Sequence, residues 1–526
     1  MAEPWWRTGV VYQIYPRSFM DANGDGVGDL RGIAQRLDHL AWLGVDAFWL
    51  SPCYPSPMAD FGYDVADYCD VDPLFGTLAD LDALVAAAHA RGLRVLLDWV
   101  PNHTSDRHPW FVESRASRGA PKRDWYVWRD PKPDGSPPNN WRSVFGGPAW
   151  ELDAATGQLY LHSFLKEQPD LDWRNPAVER AMHDVLRFWL DRGIDGFRID
   201  VIQRIAKHPE LPDDPPKEGD PYGQLWLCYE ENHPDVHAML RRIRMVLDAY
   251  DDRVTVGEVY LLNQAEVARY LGGGDELHLA FNFRFLQAPW SAERFADEVE
   301  RMERALPPEG WPTLVLSNHD VPRHATRYDD PVHGEARARL AAAMLLTLRG
   351  TPFLYQGEEI GMRNVAIPPE RLQDPLARTL HPNLARDGER TPMPWDGGPG
   401  AGFTTGEPWL PLGPDADRRH VAAQRGDPRS LLSLYRALLA LRRAEPALHA
   451  GDYERLHAPK GVFAFERRSG DARAFVALNF AGEPCEVAFE DAPVRRALST
   501  DPDRALPSRS GRVALGAAEG LVLVLA

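Results

Sequence analysis

The sequence predicts an α/β protein built on a (β/α)8 TIM barrel, with an insertion after the third strand and a small all-β domain at the C-terminal end. Three observations predict it. Eight short apolar, β-branched runs alternate strictly with eight segments of helical period, from Val10 onward. One stretch, 104–173, breaks the alternation with a Pro-, Trp- and Gly-rich sequence that holds no long periodic element. From about Gly451 the helical period stops and short alternating runs take over. Units of the order βα, repeated eight times, imply a parallel sheet closed into a barrel with helices outside it.

In order along the chain, VVYQIY is the first strand and GIAQRLDHLAWLG the helix after it. DAFWLSP with LADLDALVAAAHARG makes the second unit, and RVLLDWV is the third strand. After the interruption come NPAVERAMHDVLRFWLDRG, then the strand GFRIDV, then HPDVHAMLRRIRMVLDAY and the strand VTVGEV. QAEVARYLG precedes the strand LHLAFNF, and AERFADEVERMERAL precedes PTLVLSNHD. GEARARLAAAMLLTLRG, PFLYQG and SLLSLYRALLALRR complete the series. GVFAFERR, RAFVALNF, CEVAFE and GLVLVL are the strands of the last domain. The expected domains are 1–103 and 174–450 for the two parts of the barrel, 104–173 for the insertion and 451–526 for the C-terminal sandwich.

Bulk properties narrow the function. A net charge of −18 over 526 residues argues against nucleic acid or an anionic membrane as the main partner, because both require basic patches. No run approaches the ~18 apolar residues of a membrane span. The start, MAEPWWRTGVVYQ, has no basic segment followed by an apolar core, so no signal peptide is expected. Cys53, Cys69, Cys228 and Cys485 form no C-x-x-C pair, which suggests reduced thiols in a cytoplasm and neither a disulfide framework nor a zinc site. Seventeen Trp are mostly core material, and the surplus suits a site that stacks flat ligands such as sugars.

One loop invites a metal. DANGDGVGDL, residues 21–30, has the D-x-[DN]-x-[DN]-G start of an EF-hand. The EF-hand reading fails, because loop position 12 is Gly32 where a bidentate carboxylate is needed, and a strand precedes it where a helix belongs. A cation loop of another kind remains open.

Polar residues gather at the C-terminal ends of the strands, where barrels build their sites. Strand three ends in Asp98 and runs on to His103; strand four carries Arg198 and Asp200; strand five ends in Glu258; strand seven ends in His319 and Asp320. So many like charges on one rim are costly to desolvate unless they bind or react. No serine-nucleophile, P-loop, dinucleotide or H-E-x-x-H signature occurs. Carboxylates on adjacent strands suit glycoside hydrolysis, where one attacks the anomeric carbon and another protonates the leaving oxygen.

DWVPNH (98–103), GFRID (196–200), GEVY (257–260) and SNHD (317–320) resemble the four signature regions of the α-amylase superfamily, glycoside hydrolase family 13, in order and each on its strand. QPDLDW (168–173) and RTPMPWD (390–396) resemble its oligo-1,6-glucosidase and α-glucosidase branch. The resemblance implies a barrel with an inserted B domain and a β-sandwich C domain. It implies Asp200 as nucleophile, Glu258 as acid/base and Asp320 as transition-state stabiliser, with Arg198 positioning Asp200 and lowering its pKa. His103 and His319 would hold hydroxyls of the glucose. The resemblance also implies a single structural Ca²⁺ or Mg²⁺ in the loop after strand one, held by Asp21, Asn23, Asp25, Asp29 and the carbonyl of Val27. Asp60 would pair with Arg390 to close the pocket around a terminal glucose, with Tyr63 stacked beneath its ring. The loops 202–232 and 358–428 would narrow the opening. Val201 resembles the α-1,6-preferring members; Pro394 and Val321 stand where Gln is usual. The implied activity is a retaining, exo-acting α-glucosidase on short α-glucosides. Its alternatives are a transglycosylase or isomerase, or a trehalose-6-phosphate hydrolase, on the same site. The chain lacks the R-L-D-R-D segment of sucrose isomerases.

Overall fold

The computed structural model describes residues 3–217 and 225–526. Its first strands are β1 (Val11–Ile14), β2 (Ala47–Leu50) and β3 (Arg94–Trp99). The insertion contributes β4 (Trp128–Arg129), β5 (Trp150–Asp153) and β6 (Gln158–Leu161), and the barrel resumes with β7 (Gly196–Ile199) and β8 (Val254–Gly257). β9 (Leu279–Ala280), β10 (Thr313–Val315) and β11 (Thr351–Tyr355) complete it. The eight barrel strands lie in the order β10-β11-β1-β2-β3-β7-β8-β9. Every ladder between them is parallel. Between β9 and β10 the Thr313 hydroxyl donates to the Ala280 carbonyl at 2.6 Å.

The helices begin where the sequence provides caps. Asp29 accepts from the Gly32 amide to start Leu30–Leu43, and Thr77 with Asp80 forms a capping box for Leu78–His89. Asn175 caps Pro176–Asp191, with Pro176 at the first turn where no amide donor is missed.

Strand alternation decides what faces the barrel axis. Leu96, Val254 and Val256 point inward and pack with Val11, Ala47, Trp49 and Phe353. Val95, Leu97, Phe197 and Ile199 face the helices. The same period places Asp98 above Leu96 and Arg198 two residues beyond Gly196. Continuing past the strand ends, it places Asp200 and Glu258 on the inner face as well. Asp98 and Arg198 are direct neighbours across the β3–β7 ladder.

Insertion strands order as an antiparallel sheet β4-β6-β5 over a small core that includes Trp141, Trp150 and Leu161. A helix, Pro109–Arg115, precedes the sheet, capped by His108. With seven residues in the helix and two to four in each strand, these elements are too short to leave a periodic signal.

After β12 (Asp452–Arg455) the last domain continues with β13 (Val462–Ser469), β14 (Ala472–Asn479), β15 (Cys485–Ala488), β16 (Val494–Ser499), β17 (Arg512–Leu515) and β18 (Gly520–Leu525). Four of these strands are legible in the sequence. The other three are DYER, VRRALS and RVAL, with three, two and one charged residues: β12 and β16 form the sheet edges and β17 belongs to the two-stranded β15-β17 layer. Sheet β12-β13-β14-β18-β16 packs on β15-β17 through Phe475, Leu523, Val487 and Val513. Its other face joins the main core through Phe465, Val476 and Val522. Arg467 on β13 donates to the carbonyls of Thr347 and Gly451, and Arg442 donates to those of Leu346, Leu348, Gly350 and Leu448. Among the described residues no helix is long and apolar enough to cross a membrane.

Candidate active site

At the C-terminal mouth of the barrel lies a cavity of about 340 Å³, within the range of small-molecule sites. Its lining includes Asp60, Tyr63, His103, Asp200, Glu258 and Asp320. The inner faces of β3, β7 and β8 deliver three carboxyls to a single guanidinium. Arg198 Nη1 donates to Asp98 at 2.8 Å and to Asp200 at 2.7 Å, while Nη2 donates to Glu258. Trp49 and the Tyr63 hydroxyl donate to the other oxygen of Asp98 at 3.2 and 3.0 Å.

Burial sets the electrostatics. It pushes the Asp200 carboxyl up, with Glu258 and Asp98 adding to the effect and Arg198 opposing it. The sequence-based expectation that Arg198 simply lowers this pKa omitted the burial. Asp98 is likewise raised by burial, to about 6, against the pull of Arg198. Asp98 and Asp200 share this one cation, so a proton held there belongs to the pair and to neither carboxyl alone.

Asp320 sits in the opposite field. Burial works against its charge, but His319, Arg386 and Arg390 hold its carboxyl far below the usual range. Burial lowers His319 itself to about 3, so at neutral pH the charges that hold Asp320 ionised are Arg386 and Arg390, with Arg198. Arg386 Nη1 reaches Asp320 Oδ1 at 2.8 Å and Arg390 Nη2 reaches the same oxygen at 2.7 Å. His319 is fixed by Gln13 at 2.8 Å and by the Tyr63 hydroxyl at 2.7 Å, with the Tyr63 ring stacked on it at 5.5 Å. His103, lowered by burial to about 4, has Nε2 at 3.1 Å from both the Tyr63 carbonyl and the Gln168 amide.

One expected pairing is corrected. Asp60 is paired with Arg386, at 3.1 Å, and Arg390 is directed to Asp320 and the His319 carbonyl. Arg386 also grips Asp374 through Nε and Nη2, and so joins the loops after β2, β10 and β11. Both arginines lie in one stretch, LARDGERTPM, four residues apart, and that spacing was the signal available. Gln168, from QPDLDW, donates to Asp60 at 3.2 Å and brings the insertion into the site. Asp60 is raised by burial to about 6, opposed by Arg386 and Arg390. Val201 follows Asp200 in the left-handed region, φ +31°. Of the loop 202–232 expected to narrow the opening, residues 218–224 lie outside the described residues; Leu227 and Glu231 line the cavity.

The loop after β1 is built differently and does not line the cavity. Asp21 Oδ1 accepts from the amides of Asn23 and Gly24, and Oδ2 from the Gly26 amide and the Thr404 hydroxyl. Asn23 Oδ1 accepts from the Asp25 amide, and Asp25 Oδ1 from the Val27 amide. Asp29 accepts from Ala22 and Gly32. Gly26, at φ +92°, presses so closely on the Glu407 carbonyl that a Cβ would stand 1.9 Å from it. The all-oxygen donor set suits a hard cation. Among the described residues, however, no three His, Cys, Asp or Glu side chains are gathered as a metal site, so a cation would rely on Asn23 and the Val27 carbonyl as well.

A barrel with carboxyls ranged round an arginine on its C-terminal rim has the groups that a glycoside hydrolase needs. Comparison with known proteins agrees: residues 13–451 match the alpha amylase catalytic domain, and the chain belongs to the alpha-amylase family. It is 48% identical over 509 residues to a probable alpha-glucosidase of Rhizobium meliloti, covering 94% of this chain and 92% of the relative. It is 42% identical to the oligo-1,6-glucosidase of Parageobacillus thermoglucosidasius, over 91% of each chain. Among solved structures it resembles an alpha-glucosyl transfer enzyme, with TM-score 0.94 and 43% identity over the whole of both chains. It also resembles the trehalulose synthase of Pseudomonas mesoacidophila, with TM-score 0.91 and 36% identity over the whole of both chains.

Proposed function

We propose that the protein is a retaining, exo-acting α-glucosidase that releases glucose from the non-reducing end of short α-glucosides such as maltose, isomaltose or sucrose. The observation that carries this reading is Arg386, which lines the cavity and bridges Asp60 and Asp320; we read this bridge as the closed end of the site. A closed end admits a terminal ring and rejects a chain running through. Asp200 attacks the anomeric carbon, Glu258 protonates the leaving oxygen and later draws a proton from water, and Asp320 faces the oxocarbenium-like transition state. One guanidinium holds both Asp200 and Glu258, the neighbouring placement a nucleophile and its acid/base require in a retaining mechanism. Glu258 is the carboxyl placed to hand a proton to the leaving oxygen, and Arg198 favours charge on Asp200. His103, His319 and Tyr63 hold the glucosyl unit.

A second reading, glucosyl transfer or isomerisation in place of hydrolysis, is favoured by the likeness to the glucosyl transfer enzyme and the trehalulose synthase. A trehalose-6-phosphate hydrolase, which also transfers the glucosyl unit to water, is the remaining alternative on the same site. Product analysis on maltose, isomaltose, sucrose, trehalose and trehalose 6-phosphate separates these: free glucose at stoichiometric yield supports hydrolysis, and new disaccharides support transfer. Ca²⁺ or Mg²⁺ at Asp21, Asn23, Asp25, Val27 and Asp29 would brace the loop after β1 and take no part in the reaction. A cytoplasmic location suits the four free thiols, with Cys53 pushed up by burial to about 12 and so unreactive.

A further inference from the structure

The mouth of the cavity divides by chemistry. Val144 and Leu227, both about half exposed, stand with Phe145 and Phe164 as an apolar wall. The polar part begins at the turn after Asp200. There the strained backbone of Val201 aims its amide at Glu258 Oε2, 3.3 Å away. The turn therefore leaves Asp200 on the side of the proposed acid, where the leaving group must sit.

Gln203 lies on this turn, lines the cavity and is 1% exposed. Its main-chain carbonyl is tied to the Asn232 amide at 2.7 Å, yet its side-chain Oε1 is buried with no hydrogen-bond partner. A buried amide oxygen left unpaired is destabilising until a donor reaches it. The adjacent Arg204 cannot relieve it, because Glu230 and Glu231 hold its guanidinium at 3.4 and 3.2 Å. A site kept for packing alone would be served better by Leu.

We propose that Gln203 is a specificity residue: its amide hydrogen-bonds a hydroxyl of the sugar on the leaving-group side of the scissile bond. The proposal rests on the α-glucosidase reading. Such a group favours a second sugar ring over an aryl leaving group, because only the sugar pairs the buried oxygen.

The test compares isomaltose and maltose with p-nitrophenyl α-glucoside, which presents no hydroxyl there. In Gln203→Leu the ratio of kcat/KM for disaccharide to that for the aryl glucoside should fall at least tenfold, with the melting temperature unchanged or raised. Gln203→Ala, which admits water, should shift the ratio in the same direction by less. An unchanged ratio in both variants, equal losses on both substrate types, or failure of both variants to fold would overturn the assignment. A wild type that cleaves none of these substrates would instead overturn the α-glucosidase reading.

Discussion

The loop after β1 and the rim of the cavity are both acidic, and they differ in what satisfies the acids. In the loop, neutral donors do so, most of them close at hand: Asp21 accepts from amides two, three and five residues away and from one remote hydroxyl, that of Thr404. On the rim, Asp98, Asp200, Glu258, Asp60 and Asp320 are met by Arg198, Arg386 and Arg390, and five of these pairs join residues at least sixty positions apart in the chain. Local donors close a turn on itself. Remote cations hold carboxyls in place while leaving them open to a cavity, which is the arrangement chemistry requires.

The comparison is broken most directly at Asp200. Asp200→Asn should lower kcat by roughly four orders of magnitude with binding of a disaccharide retained, since the covalent step is lost. Steady-state kinetics with calorimetric binding checks it, and near-normal turnover would place the rim with the loop as architecture. Arg386→Ala should come next. It removes the partner of Asp60, Asp374 and Asp320 together, and kcat/KM on maltose and isomaltose should fall about 100-fold, about 3 kcal/mol. Substrates blocked at the non-reducing end should be resisted by the wild type; ready cleavage of them would show an open cleft.

Acid separates the regions more gently. His103 and His319 have folded pKa values of about 4 and about 3, below the ordinary 6.5. Between pH 6.5 and 4 the unfolded chain takes up protons that the folded one refuses, so their contribution to stability is full above 6.5 and is lost as pH falls. Melting temperatures should drop through that window, and replacing His319 by Gln should flatten the drop. Smallest is Asp21→Ala, which should lower the melting temperature by a few degrees and blunt any stabilisation by added Ca²⁺, with turnover per folded molecule unchanged. Identical melting with and without chelator in the wild type would leave the loop as a turn that needs no cation.

Much of this was legible because periodicity and motif coincide. The inner-face alternation that makes β7 and β8 strands also carries Arg198, Asp200 and Glu258 to one rim, so a local pattern located a global site. The partner of Asp60 was not legible: Arg386 and Arg390 lie in an irregular loop, where no period says which one turns inward. Gln203 was missed for a related reason, since its significance is the absence of a partner. The edge strands β12 and β16 escaped because solvent-facing charge erases the alternation that marks a buried strand.

Arg467 on β13 bonds the Thr347 carbonyl and ties the sandwich to the barrel, while Arg442 gathers four carbonyls within the barrel itself. Their bonds tie Leu346, Thr347, Leu348 and Gly350, the approach to β11, to the helix and strand that follow. The strand so anchored leads into the segment bearing Arg386 and Arg390. Heating should therefore produce one calorimetric transition, and a chain ended before β12 should lose activity through the far side of the molecule, by letting the catalytic loop's foundation melt early.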